Sequence, residues 1–138
     1  MYTKIFWDHV DNPRNLLSRD EASIESEFGS RTITVERKYH RCGDKLTLQL
    51  AVANGHIVKA RFRARACAPV VAVASLGTDK LKGLEISSNF ELNFWELDHQ
   101  LGGLPASKRH AYTLFLECLA EAIDIARSTP TKGSRYEK

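Results

Sequence analysis

The dipeptide Asn54-Gly55, set between two alternating runs, restricts the fold more than any other stretch. Both residues enter left-handed backbone conformations at low cost, and a two-residue turn with positive φ at both positions matches the twist of paired strands. Before the turn, Leu46, Leu48, Leu50 and Val52 alternate with Lys45, Thr47, Gln49 and Ala51. After it, Val58, Ala60, Phe62 and Ala64 alternate with Lys59, Arg61, Arg63 and Arg65. A period of two sends each set to its own face. The prediction is a hairpin with one apolar face to be covered and one basic, wet face. Thr32, Ile33, Thr34 and Val35 add a strand within 31–39.

A bare hairpin is not stable in water, so its apolar face needs partners. Val70, Val71, Ala72, Val73, Ala74, Leu76 and Leu81 predict an apolar helix over 69–82, with Pro69 at its first position and Gly83 just past its end. Residues 84–103 predict a short helix and a loop ending at Gly102-Gly103. Ala111, Leu114, Phe115, Cys118, Leu119, Ala122, Ile123 and Ala126 keep helical spacing without interruption, and Pro130 ends that helix. Residues 2–10 suit a short amphipathic helix with Ile5, Phe6 and His9 or Val10 on one side, broken by Pro13. Residues 16–30 read as polar loop. Strands first and helices afterwards give an α+β fold: a three-stranded antiparallel sheet with helices packed on one face. At 138 residues the chain is one domain, residues 1–128, followed by a tail, 129–138, expected to be disordered.

No apolar run approaches the roughly 20 residues of a membrane span, and the N-terminus lacks a signal-peptide core. The expected setting is cytoplasmic, with no membrane partner. Three cysteines is an odd number, and a reducing compartment keeps thiols free for ligation, nucleophilic attack or core packing. A net charge of +3 is too mild to point to nucleic acid. The Lys59, Arg61, Arg63, Arg65 stripe reads first as a solvated sheet face, and second as a docking surface for an acidic protein or nucleic acid.

The chemistry concentrates in a few separated residues. Gly43 lets the chain bend so that Cys42 and Asp44 can converge. Cys67 falls at the N-terminus of the apolar helix, where free backbone N–H groups favour a thiolate, and His110 follows Ser107, a residue suited to capping the last helix. Two thiolates, a carboxylate and an imidazole form a legitimate ligand set for zinc or for an iron–sulfur centre. Read singly, each has a bland alternative: a turn aspartate, buried thiols, a polar helix-start histidine. His40, two residues before Cys42, is a weaker substitute donor. A thiol enzyme with Cys67 as nucleophile and His110 as base lacks any oxyanion motif in the sequence, so the expected activity is not enzymatic.

Asp8-His9-Val10-Asp11-Asn12-Pro13-Arg14-Asn15, then Cys42-Gly43-Asp44, the hairpin running into Ala60-Arg61-Phe62, Cys67 before its helix, and Leu104-Pro105-Ala106-Ser107-Lys108-Arg109-His110 occur in a telling order. Over roughly residues 4–126 this pattern resembles the IscU and NifU-type iron–sulfur cluster scaffold proteins. The resemblance implies the same α+β architecture (the SufE/NifU fold). It also implies assembly of a [2Fe–2S] cluster from iron, electrons and the sulfide of a cysteine desulfurase, with transfer to apo iron–sulfur client proteins. Carried over, Cys42, Asp44 and Cys67 match the first cysteine, the aspartate and the second cysteine of the family, and His110 matches its histidine. Ala111 stands where the family has its third cysteine. Cys118 lies seven residues further, about 10 Å along a helix, and on the apolar stripe, so it reads as core. Ala68-Pro69 replaces Gly-Ser and stiffens the loop behind Cys67. Of the stretch that an Hsp70-type chaperone recognises, Leu104, Pro105 and Lys108 remain. Two functions stay open: a scaffold holding a labile cluster, iron or zinc, and a degenerate homologue acting as a regulatory or interaction protein with at most a structural zinc.

Overall fold

A computed structural model describes residues 2–17, 31–39, 43–86 and 94–128. Asn54 and Gly55 both take positive φ, +54° and +77°, and join β2 (Asp44–Ala53) to β3 (His56–Arg65). β1 (Arg31–Tyr39) pairs antiparallel with β2, which sets Arg31 opposite Val52 and Tyr39 opposite Asp44. The sheet order is β1-β2-β3. Ile33, Val35, Leu46, Leu48, Leu50, Ala60 and Phe62 point from it into the core. Burial of a single large apolar side chain of this kind stabilises the fold by roughly 1.5–3 kcal/mol.

Two helices cover that face side by side: α2 (Ala68–Leu81) lies along β3, and α4 (His110–Ser128) lies across β1 and β2. α1 (Lys4–Asp11) and α3 (Phe94–Leu101) pack onto α2. α2 and α4 meet at Gly77, where an added Cβ would sit 2.5 Å from Cζ of buried Phe115. Any side chain there would have to displace the Phe115 ring or the helices that carry it.

The alternation predicted for β3 breaks at one point. Ala51 faces Lys59 and Val52 faces Ile57, which leaves Val58 as the extra residue of a bulge. Ile57 is therefore fully buried and Val58 is 46% exposed, the reverse of the expected phase. The second face of the sheet is also less wet than its residue types suggest. Thr47, Gln49 and Ala51 of the central strand are buried; the Thr47 hydroxyl donates to Glu36 at 3.3 Å and the Gln49 amide to Thr34 at 3.1 Å. A central strand carries side chains on both flanks, and these shield its short polar residues.

The segment after α1 is not a plain loop. Asp8 pairs with Arg14 at 2.6 Å, the Arg14 backbone N–H donates to Ser75 Oγ at 2.9 Å, and the Asn15 amide donates to Thr78 Oγ1 at 3.1 Å. His9, buried, meets the same Ser75 hydroxyl through Nδ1 at 2.6 Å. The Asp8–Asn15 motif thus fastens the start of the chain to the middle of α2. Asn15 and Leu17 then exchange backbone hydrogen bonds with Phe62 (Phe62 N–H to Asn15 O, 2.9 Å; Leu17 N–H to Phe62 O, 2.7 Å), and Leu84 and Gly83 do the same at Ile57. Both ends of the outer edge of β3 are covered, as edges in soluble sheets usually are. Ile5, expected on the apolar side of α1, is 42% exposed, because Phe6 and His9 hold the buried side.

Candidate metal centre

One end of the sheet gathers four element ends: the last residue of β1, the first of β2, and the N-termini of α2 and α4. Gly43 takes φ +72° and donates its N–H to Tyr39 O at 2.9 Å, the bend that aims Asp44 inward at the start of β2. Cys67 is the N-cap of α2, with extended backbone and its carbonyl accepting from Val70 and Val71. Helix α2 begins at Ala68, so Pro69 occupies its second position rather than its first. His110 is the first residue of α4. Ser107 lies in a separate 3-10 turn, Ala106–Lys108, and does not cap that helix; the carbonyl of Arg109 accepts from Tyr112 and Thr113 instead.

The side chains converge. Asp44 accepts three times: from Cys67 N–H through Oδ1 at 3.2 Å, from Cys67 Sγ through Oδ2 at 3.3 Å, and from His110 Nε2 through Oδ2 at 2.8 Å. Cys67 Sγ lies 3.8 Å from His110 Nε2, and one donor atom from each of the three residues falls within 4.8 Å of the others. Only 7% of the Asp44 side chain and 8% of the His110 side chain is exposed. Burial raises the Cys67 thiol above its ordinary value; Asp44, as hydrogen-bond acceptor and as neighbouring negative charge, raises it further, and the bond with Val70 N–H offsets part of this. The expected thiolate is therefore replaced by a thiol donating to Asp44. The helix N-terminus is outweighed by desolvation and by a carboxylate held against the sulfur. A cation would reverse this, displacing the thiol and imidazole protons and collecting sulfur, oxygen and nitrogen at one point.

Cys42 and the weaker candidate His40 lie outside the described residues. Cys118 is fully buried, its thiol directed to Leu46 O at 3.7 Å and pushed up to about 12 by burial, in keeping with a core role. Ala111 is fully buried beside His110. The approach to His110 is braced from α3. Asp98 accepts from Leu104 N–H at 3.2 Å and from the Tyr112 hydroxyl at 2.5 Å, and Arg109 donates to Leu104 O at 3.3 Å. Sequence reading passed over Tyr39, whose ring stacks on the His110 imidazole with centroids 4.3 Å apart and planes 13° from parallel. Its signal was its place, an aromatic residue ending the strand paired with Asp44.

The family model of the NifU-like N-terminal domain matches residues 1–131. The chain belongs to the NifU-like N-terminal domain family. Within it, the iron–sulfur cluster assembly scaffold protein IscU of Aquifex aeolicus is 32% identical over 124 residues, which cover 88% of this chain and 73% of that protein. The scaffold protein IscU 1 of Archaeoglobus fulgidus is 29% identical over 123 residues, 89% of this chain and 74% of that one. Among solved structures, the N-terminal part of a NifU-like protein from Brucella abortus superposes with a TM-score of 0.63 at 14% identity, covering 92% of this chain and 95% of its own. The NifU-like fold is thus common ground. Among the described residues, no helix is long and apolar enough to cross a membrane.

Proposed function

We propose that this NifU-like domain is an iron–sulfur cluster assembly scaffold that holds iron or a labile [2Fe–2S] cluster as cargo through Asp44, Cys67 and His110, with Cys42 as a further thiolate. The observation that carries the reading is the convergence of carboxylate, thiol and imidazole within 4.8 Å at the family's motif positions. The donor chemistry fits: thiolate and imidazole suit iron and zinc alike. With Ala111 in the third cysteine's place, the His110 imidazole stands in for a thiolate beside Asp44. This loosens the cluster and raises its potential, as histidine ligation does in Rieske centres. A loosely held cluster suits transfer to apo client proteins, with sulfide drawn from a cysteine desulfurase. Pro105, Ala106 and Ser107 are exposed just before His110, so an Hsp70-type chaperone gripping the Leu104–Lys108 stretch would act directly on the site. The role is that of a carrier, not an enzyme.

Reconstitution with ferrous iron and sulfide under argon tests this. The expected result is charge-transfer absorption with equal iron and acid-labile sulfide, lost in Cys42→Ala and Cys67→Ala. Zinc alone, or no metal, would instead favour the second reading that buried Ala111 supports: a degenerate scaffold homologue acting as a regulatory or interaction protein.

A further inference from the structure

We propose that Tyr39 is a positioning residue of this site, its ring fixing the plane in which His110 presents Nε2 to Asp44 and Cys67. The role toward a metal rests on the reading just given; the role toward the imidazole does not.

A histidine at the first position of a helix is held only at its backbone, and its ring turns about two side-chain bonds. The hydrogen bond from Nε2 to Asp44, 2.8 Å, fixes one edge of the ring. Stacking with Tyr39, 4.3 Å between centroids and 13° from parallel, fixes its face. Two contacts at right angles leave one orientation. That orientation matters because the Nε2 lone pair lies in the ring plane, so tilting the ring moves the donor axis off a metal even when the nitrogen stays in place.

Strand register explains how the two contacts are delivered together. Tyr39 and Asp44 are directly opposed at the last rung of the β1–β2 ladder, and Gly43 N–H bonds back to Tyr39 O across the turn. One end of the β1–β2 ladder therefore supplies both the carboxylate, from β2, and the ring that faces the imidazole, from β1. In this chain the demand on His110 is high, because Ala111 supplies no thiol. A plain apolar cover would be served as well by leucine, and a hydrogen-bonding role would need the phenol oxygen. Stacking needs an aromatic ring and nothing more.

The test uses the full chain with Tyr39→Phe and Tyr39→Leu. In metal-free protein, the carbon-bound ring protons of His110 are expected upfield from the Tyr39 ring current, and the His110 ring is expected to be rigid by carbon relaxation. Tyr39→Phe should keep both; Tyr39→Leu should lose both while the remaining spectrum stays dispersed. Cobalt(II) titration of the same proteins should give tyrosine and phenylalanine forms within about twofold, and the leucine form weakened about tenfold with altered ligand-field bands. An imidazole equally rigid in Tyr39→Leu would overturn the proposal, and so would a phenylalanine form as defective as the leucine one. Absence of cobalt binding in the unaltered protein, with the ring effects as expected, would sink the metal reading and still support the positioning role.

Discussion

Helix α2 carries two buried polar clusters, each with a histidine, and they are built on opposite rules. Around Ser75 the accounts close. Its hydroxyl accepts from Arg14 N–H and shares a hydrogen bond with His9 Nδ1, while Thr78 accepts from Asn15 and donates to Ala74 O. All are groups that are neutral in this setting, each matched to a partner. At the N-terminus of the same helix, a carboxylate, a thiol and an imidazole crowd together, all three able to change charge and all directed at one another. Protons hold that cluster together in the absence of a cation. A closed network fastens parts of a chain, whereas a cluster of convertible donors is arranged for something that is not part of the chain.

The comparison breaks most visibly at Ser75. Ser75→Ala strands His9 Nδ1 and the Arg14 N–H in the core, and is expected to destabilise the fold by about 2–4 kcal/mol in denaturant unfolding without changing cobalt affinity. A change in affinity with little loss of stability would show that the two clusters are not separable. A smaller effect follows from pH. Burial lowers the basicity of His9, with the nearby Arg14 charge adding to this. The unfolded chain therefore takes up that proton more readily than the folded one. The His9 contribution is complete above about pH 6.5, the ordinary histidine value, and is lost as pH falls through the lower folded value. A fall of a few degrees in Tm on acidification is expected, and it should shrink in His9→Gln; an identical pH response in that variant would remove His9 as its source. The smallest expected change belongs to the other cluster. In metal-free protein His110→Ala should cost about 1 kcal/mol, less than Ser75→Ala, since Asp44 keeps both its bonds from Cys67 when the imidazole is lost. A loss as large as that of Ser75→Ala would mean that both clusters are structural.

How much of this was legible beforehand differs by the range of the interaction. The turn at Asn54-Gly55 and the helix of α4 are written in local pattern, and both formed as read. The bulge at Val58 was not, because Ile57 and Val58 are both apolar and either phase fits. The choice is made by Leu84 and Gly83, which bond Ile57 from some 26 residues away. Leu16 and Leu17 looked like loop because two residues carry no period, yet Leu17 seals the edge of β3. At the site, residue types and order foretold Asp44, Cys67 and His110 as a group. The state of the Cys67 thiol escaped, since the helix terminus is local and visible in sequence while the opposing carboxylate arrives from 23 positions earlier.

The contact of Gly77 with Phe115 has a mechanical consequence. Cys67 and His110 ride at the ends of two helices pinned to each other at that point, Cys67 about 15 Å from the pin and His110 about 7 Å. The two helices act as unequal levers on one fulcrum. A tilt of α2 by about 10° would carry Cys67 some 2–3 Å away from Asp44 and His110, comparable to the length of a metal–sulfur bond. The absence of a side chain at position 77 thus sets the aperture of a site far beyond its own reach.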